Sequence, residues 1–351
     1  MKNASPERPR HIDRLREGSC SITITPPDDD SPIRDMISIE ERLFVVKDRG
    51  IYEIFLADQT DPKRTNPSVP NTLQRLLPFG AQDAWVGAVV LTARVFFLSS
   101  CFDQEIGRNA FNFLLGVAQD IAGAKAILQR YLQQEAEAQQ SVNPKIGLDH
   151  SFVLPSISNV EATCNEFLQR MDHAQRELFK IAQLFFSDVK TGFWDGLKAK
   201  VDAGPQDFDN FPQFLAEATD FFKHIRNARN CAEHPRLEQR LVVLDFKLDT
   251  NNVLVPPTIE VVHPKTPMEA CPVGRFFIDT IEILVSVVEY MIVFLCARNV
   301  KQVGGLQVYA IELPPERRKF PHVRFSYGTF LNGNLRFSYG TFLNGNLVPF
   351  G

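Results

Sequence analysis

The feature that most constrains the fold is a long amphipathic pattern in the middle of the chain. Between residues 160 and 185, apolar side chains recur at alternating steps of four and three. They are Val160, Cys164, Phe167, Met171, Ala174, Leu178, Ile181 and Phe185. This spacing places them on one stripe of an α-helix. The pattern therefore predicts a helix whose apolar stripe packs against other helices.

Helical patterns also lie on the N-terminal side of this stripe. Two long ones run from Ala81 to Phe102 and from Gly107 to about Gln139, joined by a short turn that favours antiparallel packing. Ser158 and Glu161 have the spacing of a capping box, which predicts the start of the central helix.

The first part of the chain is read mainly from its composition. Residues 1–36 are rich in Pro, Asp, Arg and Ser, and this predicts a disordered arm. A second capping-box spacing, Ser38 with Glu41, predicts a helix from Ser38 to about Ala57. A short helix is predicted at Asn71–Leu77, after a polar loop that contains prolines.

Charge and cysteine usage limit the classes of function. The 351-residue chain has a net charge of -4, which argues against a protein that coats nucleic acid through a broad positive field. Any RNA contact must therefore be local, and the window 223–240 is rich in Lys and Arg. The six cysteines form no C-x-x-C pair, which predicts reduced thiols and a cytoplasmic protein. No metal-binding or cofactor motif is present in the sequence, so we expect no cofactor.

One apolar run is long enough to raise the question of a membrane span. It extends from Ile281 to Ala297 and is interrupted by Glu282 and Glu289. Because the run is short and carries two charges, it predicts a buried helix rather than a membrane contact.

A second amphipathic helix, predicted over residues 210–234, carries the chemistry. It ends before Pro235, and its apolar residues fall on one face. Arg226, Asn230 and His234 follow each other at i, i+4 and i+8, so they form one polar stripe, with Arg229 at its border. An arginine, a carboxamide and a histidine can handle a phosphate and its protons without a metal ion.

The pattern changes after this helix. Two segments with period two, 244–248 and 258–261, flank the turn residues 249–252 and predict a β-hairpin within residues 240–263. A closing helix is predicted over 267–300, followed by a strand-like tail over 301–351. Within the tail, the 12 residues 324–335 are repeated letter for letter at 336–347. We assign this repeat no function.

The spacing Arg229-Asn230-x-x-x-His234 resembles the motif of the HEPN superfamily (higher eukaryotes and prokaryotes nucleotide-binding). The order of long helix, motif helix, hairpin and closing helix is similar to that of a bacterial branch of HEPN-like proteins. The resemblance implies a mainly α fold, an antiparallel HEPN-like helical bundle with an inserted β-hairpin. The implied helical domain spans residues 37–300, between the disordered arm and the tail.

The same resemblance implies a metal-independent endoribonuclease, in a toxin or phage-defence effector. Arg229, Asn230 and His234 would be catalytic, and Arg226 and Lys223 would bind the substrate. By helical geometry Arg226 lies nearer to the face of His234 than Arg229 does, so either arginine can be the one that the motif requires. The implied partners are RNA, a second copy in a homodimer and an antitoxin protein.

Three alternatives remain beside this interpretation. One is a catalytically inactive HEPN-like module that binds RNA, a nucleotide or a protein partner. Another is a helical scaffold with no ligand site. In the third, the motif residues have a structural role, with Arg229 and Asn230 stabilising the helix end and His234 bonded to the hairpin.

Overall fold

The computed structural model describes most of the chain. The described residues are 10–18, 24, 26, 28–141, 152–189, 192–204, 210–301, 308–329, 340–343 and 346–349. The chain divides into two compact units, Met1–Val86 and Gly87–Gly351. This division differs from the predicted boundaries at residues 36 and 300.

The structure corrects the predicted fold class. About half of the described residues are helical and about a fifth lie in strands, so the fold is mixed α/β rather than a mainly α bundle with one inserted hairpin. Its described sheets comprise one of four strands, one of three strands and three of two strands, all of them antiparallel.

The first unit is built on an antiparallel sheet whose strands lie in chain order. The strands are β1 (Ile33–Ile39), β2 (Arg42–Lys47), β3 (Ile51–Phe55) and β4 (Thr72–Leu77). Three helices belong to the same unit: α1 (His11–Gly18), α2 (Ala57–Thr60) and α3 (Ala84–Val86).

Two helices predicted in this unit are wrong. Residues 38–57 form most of a β-meander, and Thr72–Leu77 is a strand. Ser38 lies on β1, and Glu41 belongs to the two-residue turn of Glu40 and Glu41, across which Ile39 pairs with Arg42. Ile37 and Ile39 are buried while Ser38 is exposed, so the period is two. Short apolar runs of this kind do not distinguish a strand from a buried helix, and here pairing along the sheet decides.

The predicted disordered arm is also wrong where the structure describes it. Asp29 is buried, and its Oδ2 accepts a hydrogen bond of 2.7 Å from the Tyr52 hydroxyl on β3. Its Oδ1 accepts hydrogen bonds from the Ser31 backbone and hydroxyl, while the Lys47 ammonium donates to its backbone carbonyl. Burial opposes ionisation of this carboxyl, but these hydrogen bonds and the Lys47 charge outweigh it and lower the pKa of Asp29. Much of the arm, including residues 1–9 and 19–23, lies outside the described residues.

Among its described residues, the second unit has a core of helices, four of which are long. They are α4 (Thr92–Phe97, preceded by a π-helical turn at Gly87–Leu91), α5 (Gln104–Gln140), α6 (Val160–Phe185), α7 (Phe193–Asp202), α8 (Phe211–Glu233) and α9 (Val273–Ala297). The predicted stripe on α6 is buried from Val160 to Ile181, and Phe185 is half-buried. Phe167 stacks on Phe277 of α9 with ring centroids 4.0 Å apart. The helix that the stripe predicted is confirmed.

The predicted start of α6 needs a correction of detail. The residue at the N-cap is Asn159, in the left-handed region with φ of 62°, and it makes no side-chain cap. Ser158 and Glu161 therefore do not form a capping box. The backbone N–H of Ile157 instead donates to the Asp245 carboxylate, at 3.2 Å from Oδ2.

Small sheets follow α8 and α9. Strands β5 (Arg240–Leu244) and β8 (Thr258–Val262) form the predicted hairpin, with β6 (Lys247–Leu248) and β7 (Leu254–Val255) at its tip. The start of the predicted closing helix is wrong: β9 (Met268–Pro272) adds a third strand beside β8, so α9 begins only at Val273.

Strands also occur in the tail. Strand β10 (Val308–Glu312) pairs with β11 (Phe325–Thr329), and β12 (Gly340–Leu343) pairs with β13 (Asn346–Pro349). The first copy of the duplicated segment contributes β11 to one sheet, whereas the second copy contributes β12 to another. The two copies have the same sequence but pair with different strands, as expected where the neighbouring segments decide how a strand pairs.

Two helices among the described residues are long and apolar enough to cross a membrane, α5 and α9. More than half of the most apolar window of each is buried inside the structure, which is the environment of a packed core helix.

Candidate functional site

Helix α8 carries the predicted site residues, and its own packing fixes their directions. Pro212 occupies its first turn, where the missing N–H costs no helical hydrogen bond. Its buried side is made of apolar or small residues that face the other helices of the second unit. These residues are Leu215, Ala218, Phe222, Ile225, Ala228 and Cys231. Burial of this side leaves the charged residues on the flanks and on the solvent side.

Arg229 lies on a flank that faces α6, among carboxylates. Its guanidinium forms an ion pair with Glu233, one turn later on α8. Its Nη1 is 3.8 Å from Oδ2 of Asp172 on α6, and the Asp172 side chain is only 2% exposed. The Arg229 side chain itself is 25% exposed. Arg229 is therefore held in a largely buried network of opposite charges.

Asp172 is the centre of this network. Its Oδ2 is 2.6 Å from Nη2 of Arg176, and its Oδ1 accepts a hydrogen bond of 2.7 Å from the buried amide of Gln175. A carboxylate without such partners would be very unfavourable in this position. The network links α6 to α8, and no sequence motif indicated it. The only signal was an aspartate directly after Met171, at the edge of the apolar stripe.

The Glu233 carboxylate also has partners on both helices. It pairs with Arg229, and its Oε1 accepts a hydrogen bond of 3.2 Å from the Gln169 amide on α6. Glu233 thus joins the contact between α6 and α8.

The polar stripe lies elsewhere on α8. Arg226 is exposed, and its guanidinium lies over the Phe193 ring of α7, 5.8 Å from the centroid. His234 is exposed at the C-cap, where its backbone N–H donates to the Asn230 carbonyl at 2.9 Å. Asn230 is half-buried, and its Oδ1 is 3.4 Å from Nη1 of Arg229.

The arrangement separates the two arginines. At 100° per residue, Arg229 and His234 leave the helix roughly 140° apart, whereas Asn230 and His234 are roughly 40° apart. Among the described residues, no hydrogen bond joins the Arg229 and His234 side chains. The structure brings Arg226, Asn230 and His234 onto one stripe and directs Arg229 away from it.

Lys223, the remaining predicted site residue, lies further from the helix end. Its ammonium is 2.6 Å from Oδ1 of Asp195 on α7 and 3.8 Å from Oδ1 of Asp220. It therefore belongs to a polar cleft between α7, α8 and the loop that follows β8, and it carries no free positive charge.

The end of α8 has basic side chains without carboxylate partners in the described part of the chain. Among the described residues, no carboxylate lies within 4 Å of Arg226, His234, Arg236 or Arg240. All four are exposed. We refer to them as the cationic end of α8. A concentration of positive charge at this point can bind an anion although the whole chain is acidic.

In the described residues, no group of three or more His, Cys, Asp or Glu side chains is arranged to hold a metal ion. Comparison with known proteins gives no family: no protein-family model, curated protein or solved structure matches this chain.

Proposed function

We propose that this chain is a metal-independent endoribonuclease whose substrate phosphates bind at the cationic end of α8. His234 is the acid–base group. Asn230 orients the scissile phosphate, and Arg226 holds the neighbouring part of the RNA backbone. The observation that carries the proposal is the stripe of Arg226, Asn230 and His234. The two ionisable side chains of this stripe are exposed and have no carboxylate partner among the described residues.

The chemistry needs only these groups and the RNA. The ribose 2′-oxygen attacks phosphorus, and its proton passes to a base. The bond from phosphorus to the 5′-oxygen breaks, and that oxygen takes a proton from an acid. The products are a 2′,3′-cyclic phosphate and a 5′-hydroxyl end. A guanidinium that holds the phosphate offsets the charge that develops on its oxygens.

The distances along α8 support Arg226 rather than Arg229 as the substrate-binding arginine. Arg226 and Asn230, and Asn230 and His234, are each four residues apart, or about 6 Å along the helix axis. Adjacent groups at this spacing can act on one phosphodiester backbone. Arg229 would first have to leave two carboxylates.

Because the stripe offers one histidine and the reaction needs both a proton acceptor and a proton donor, we include a homodimer in the proposal. A two-fold contact would supply the second histidine. Static light scattering should then give about twice the chain mass of 39.8 kDa. A monomer with full activity would exclude the dimer but not the proposed cleavage.

The second candidate function is RNA binding without cleavage. The observation that favours it is the ion pairing of Arg229 with Glu233 and Asp172, because it removes the motif arginine from the reaction. In this case the cationic end of α8 binds the phosphates and His234 takes no part in proton transfer.

The test is incubation of the purified protein with labelled RNA in EDTA. We expect cleavage by the wild type, and a loss of about 10²- to 10⁴-fold in His234→Ala, the range for loss of a general acid–base group. His173→Ala, which replaces an exposed histidine on α6, is the matched control and should retain activity. RNA binding without cleavage would favour the second candidate, and neither binding nor cleavage would reject both. A cytoplasmic location and an antitoxin partner are proposed together with the nuclease.

A further inference from the structure

A polar cleft lies beside α8, one to two turns before the cationic end. Its volume is about 780 Å³, within the range of small-molecule sites. One side is formed by Asp195 of α7 with Asp220 and Lys223 of α8. The other side is formed by Gln239 and by the loop His263–Thr266 that follows β8.

His263 is fixed in one orientation and one tautomer. Its Nδ1 accepts the backbone N–H groups of Lys265 at 3.2 Å and of Thr266 at 3.1 Å. The Thr266 hydroxyl lies 3.0 Å from the same nitrogen. A nitrogen that accepts these bonds carries no proton, which places the N–H of the ring at Nε2.

The loop is also tied to α8. The Asn227 amide donates to the Thr266 hydroxyl oxygen at 3.1 Å, so this hydroxyl can give its own proton to His263 Nδ1. Hydrogen bonds run from Asn227 through Thr266 to His263 Nδ1. The Nε2–H of the ring has no acceptor among the described residues, so it can donate to a ligand. Burial lowers the pKa of the neighbouring His224, which disfavours its protonated form.

The two sides of the cleft differ in charge. On the α7 and α8 side, one ammonium, that of Lys223, lies between the two carboxylates of Asp195 and Asp220. This side therefore has an excess negative charge. On the loop side, Lys265 is exposed, has no carboxylate partner among the described residues, and stands beside the Nε2–H donor of His263.

We infer that this cleft binds a small zwitterion, whose ammonium group lies against Asp195 and Asp220 and whose carboxylate or phosphate accepts hydrogen bonds from His263 Nε2 and Lys265. A ligand with both charges matches both sides, whereas a ligand with one charge leaves the opposite side unmatched. The inference does not depend on RNA cleavage, because none of these groups belongs to the stripe of Arg226, Asn230 and His234.

The experiment is calorimetric titration of the full chain with L-serine and with O-phosphoethanolamine. These two probes distinguish a carboxylate from a phosphate at the anionic end. Acetate, inorganic phosphate and ethylamine serve as ligands with one charge. We expect saturable binding of at least one zwitterion, with affinity at least about tenfold above every singly charged compound, equivalent to about 1.4 kcal/mol.

Two variants test the two ends separately. In His263→Asn, the side-chain oxygen can still accept the loop amides while the Nε2–H donor is lost. Asp220→Asn removes one charge from the opposite side, and its side chain is mostly exposed, so packing is preserved. Each should weaken binding of the zwitterion by about tenfold, the effect of one charge-assisted contact.

His173→Asn on α6 and Asp279→Asn on α9 are the matched controls, and we expect wild-type affinity for both. If His263→Asn alters the circular dichroism spectrum, Lys265→Gln replaces it as the test of the anionic end. Equal affinity for acetate or ethylamine, or no saturable binding of either zwitterion, would overturn the inference. So would unchanged affinity in both cleft variants.

Discussion

Arg226 and Arg229 stand three residues apart on α8, and each is followed by an asparagine. Arg229 lies between Asp172 and Glu233 in a largely buried network, whereas Arg226 is exposed beside an aromatic ring. The same dipeptide thus has two roles on one helix. The difference shows that the neighbouring helix, rather than the local sequence, decides which arginine is available to bind a ligand.

The largest effect on stability should come from the buried centre of the network. Asp172→Ala leaves Arg229 and Arg176 without their shared carboxylate. We expect a loss of about 3 kcal/mol in the free energy of unfolding, as for removal of one partner of a buried ion pair. Urea denaturation measures it, with Asp188→Ala, which breaks an exposed pair with Lys200, as the control. A loss no larger than that of the control would show that the network does not stabilise the fold.

A double-mutant cycle sharpens the contrast. Asp172→Ala combined with Arg229→Ala should be less destabilising than the sum of the two single changes, with a coupling of about 1–2 kcal/mol, because both changes remove parts of one network. The same cycle with Arg226→Ala should give a coupling near zero, since Arg226 does not touch Asp172. Similar coupling energies for Arg229 and Arg226 would show that the two arginines do not differ in their contact with Asp172.

Arg226→Ala should instead affect RNA. We expect unfolding free energy to change by less than about 0.5 kcal/mol, as at an ordinary surface position. RNA affinity should fall by about tenfold, and the slope of log affinity against log salt should decrease by about one, as for the loss of one phosphate contact. Filter binding at several salt concentrations measures both. Arg275→Ala on α9 is the control, and the proposed role of Arg226 fails if the two variants bind alike.

The smallest effect concerns pH and a third position on α8. Burial lowers the pKa of His224 in the folded protein below its ordinary value of 6.5. The folded state therefore disfavours the protonated ring. Its contribution to stability is present above the unfolded pKa and is lost as pH falls through the folded one.

The free energy of unfolding should accordingly decrease between about pH 7 and about pH 5. His224→Gln should flatten part of this decrease, and His173→Gln should not. Identical pH profiles for the wild type and His224→Gln would contradict the assignment.

Elements with a long, unambiguous period were predictable. The α6 stripe keeps its steps of four and three over the whole helix, so the helix and its buried side follow from the pattern. The hairpin of β5 and β8 was predictable for the same reason, because two segments whose apolar residues alternate with period two flank a group of turn residues. Residues 38–57 have only short apolar runs, which do not distinguish a helix from a strand. Ser38, which has the spacing of a capping box with Glu41, lies on β1, and Glu41 lies in the hairpin turn that follows.

For the candidate site, the sequence by itself determined that Arg226, Asn230 and His234 share one stripe of a helix that ends at Pro235. This follows from 3.6 residues per turn and from the missing N–H of proline, both of which are local properties. Only the tertiary structure decided that Arg229 is held by carboxylates and that Arg226 is available to bind a ligand, because Asp172 lies 57 positions before Arg229 in the chain. It also decided that His263 faces α8 across a cleft. Contacts between distant segments depend on how helices and strands pack, and no local pattern records them.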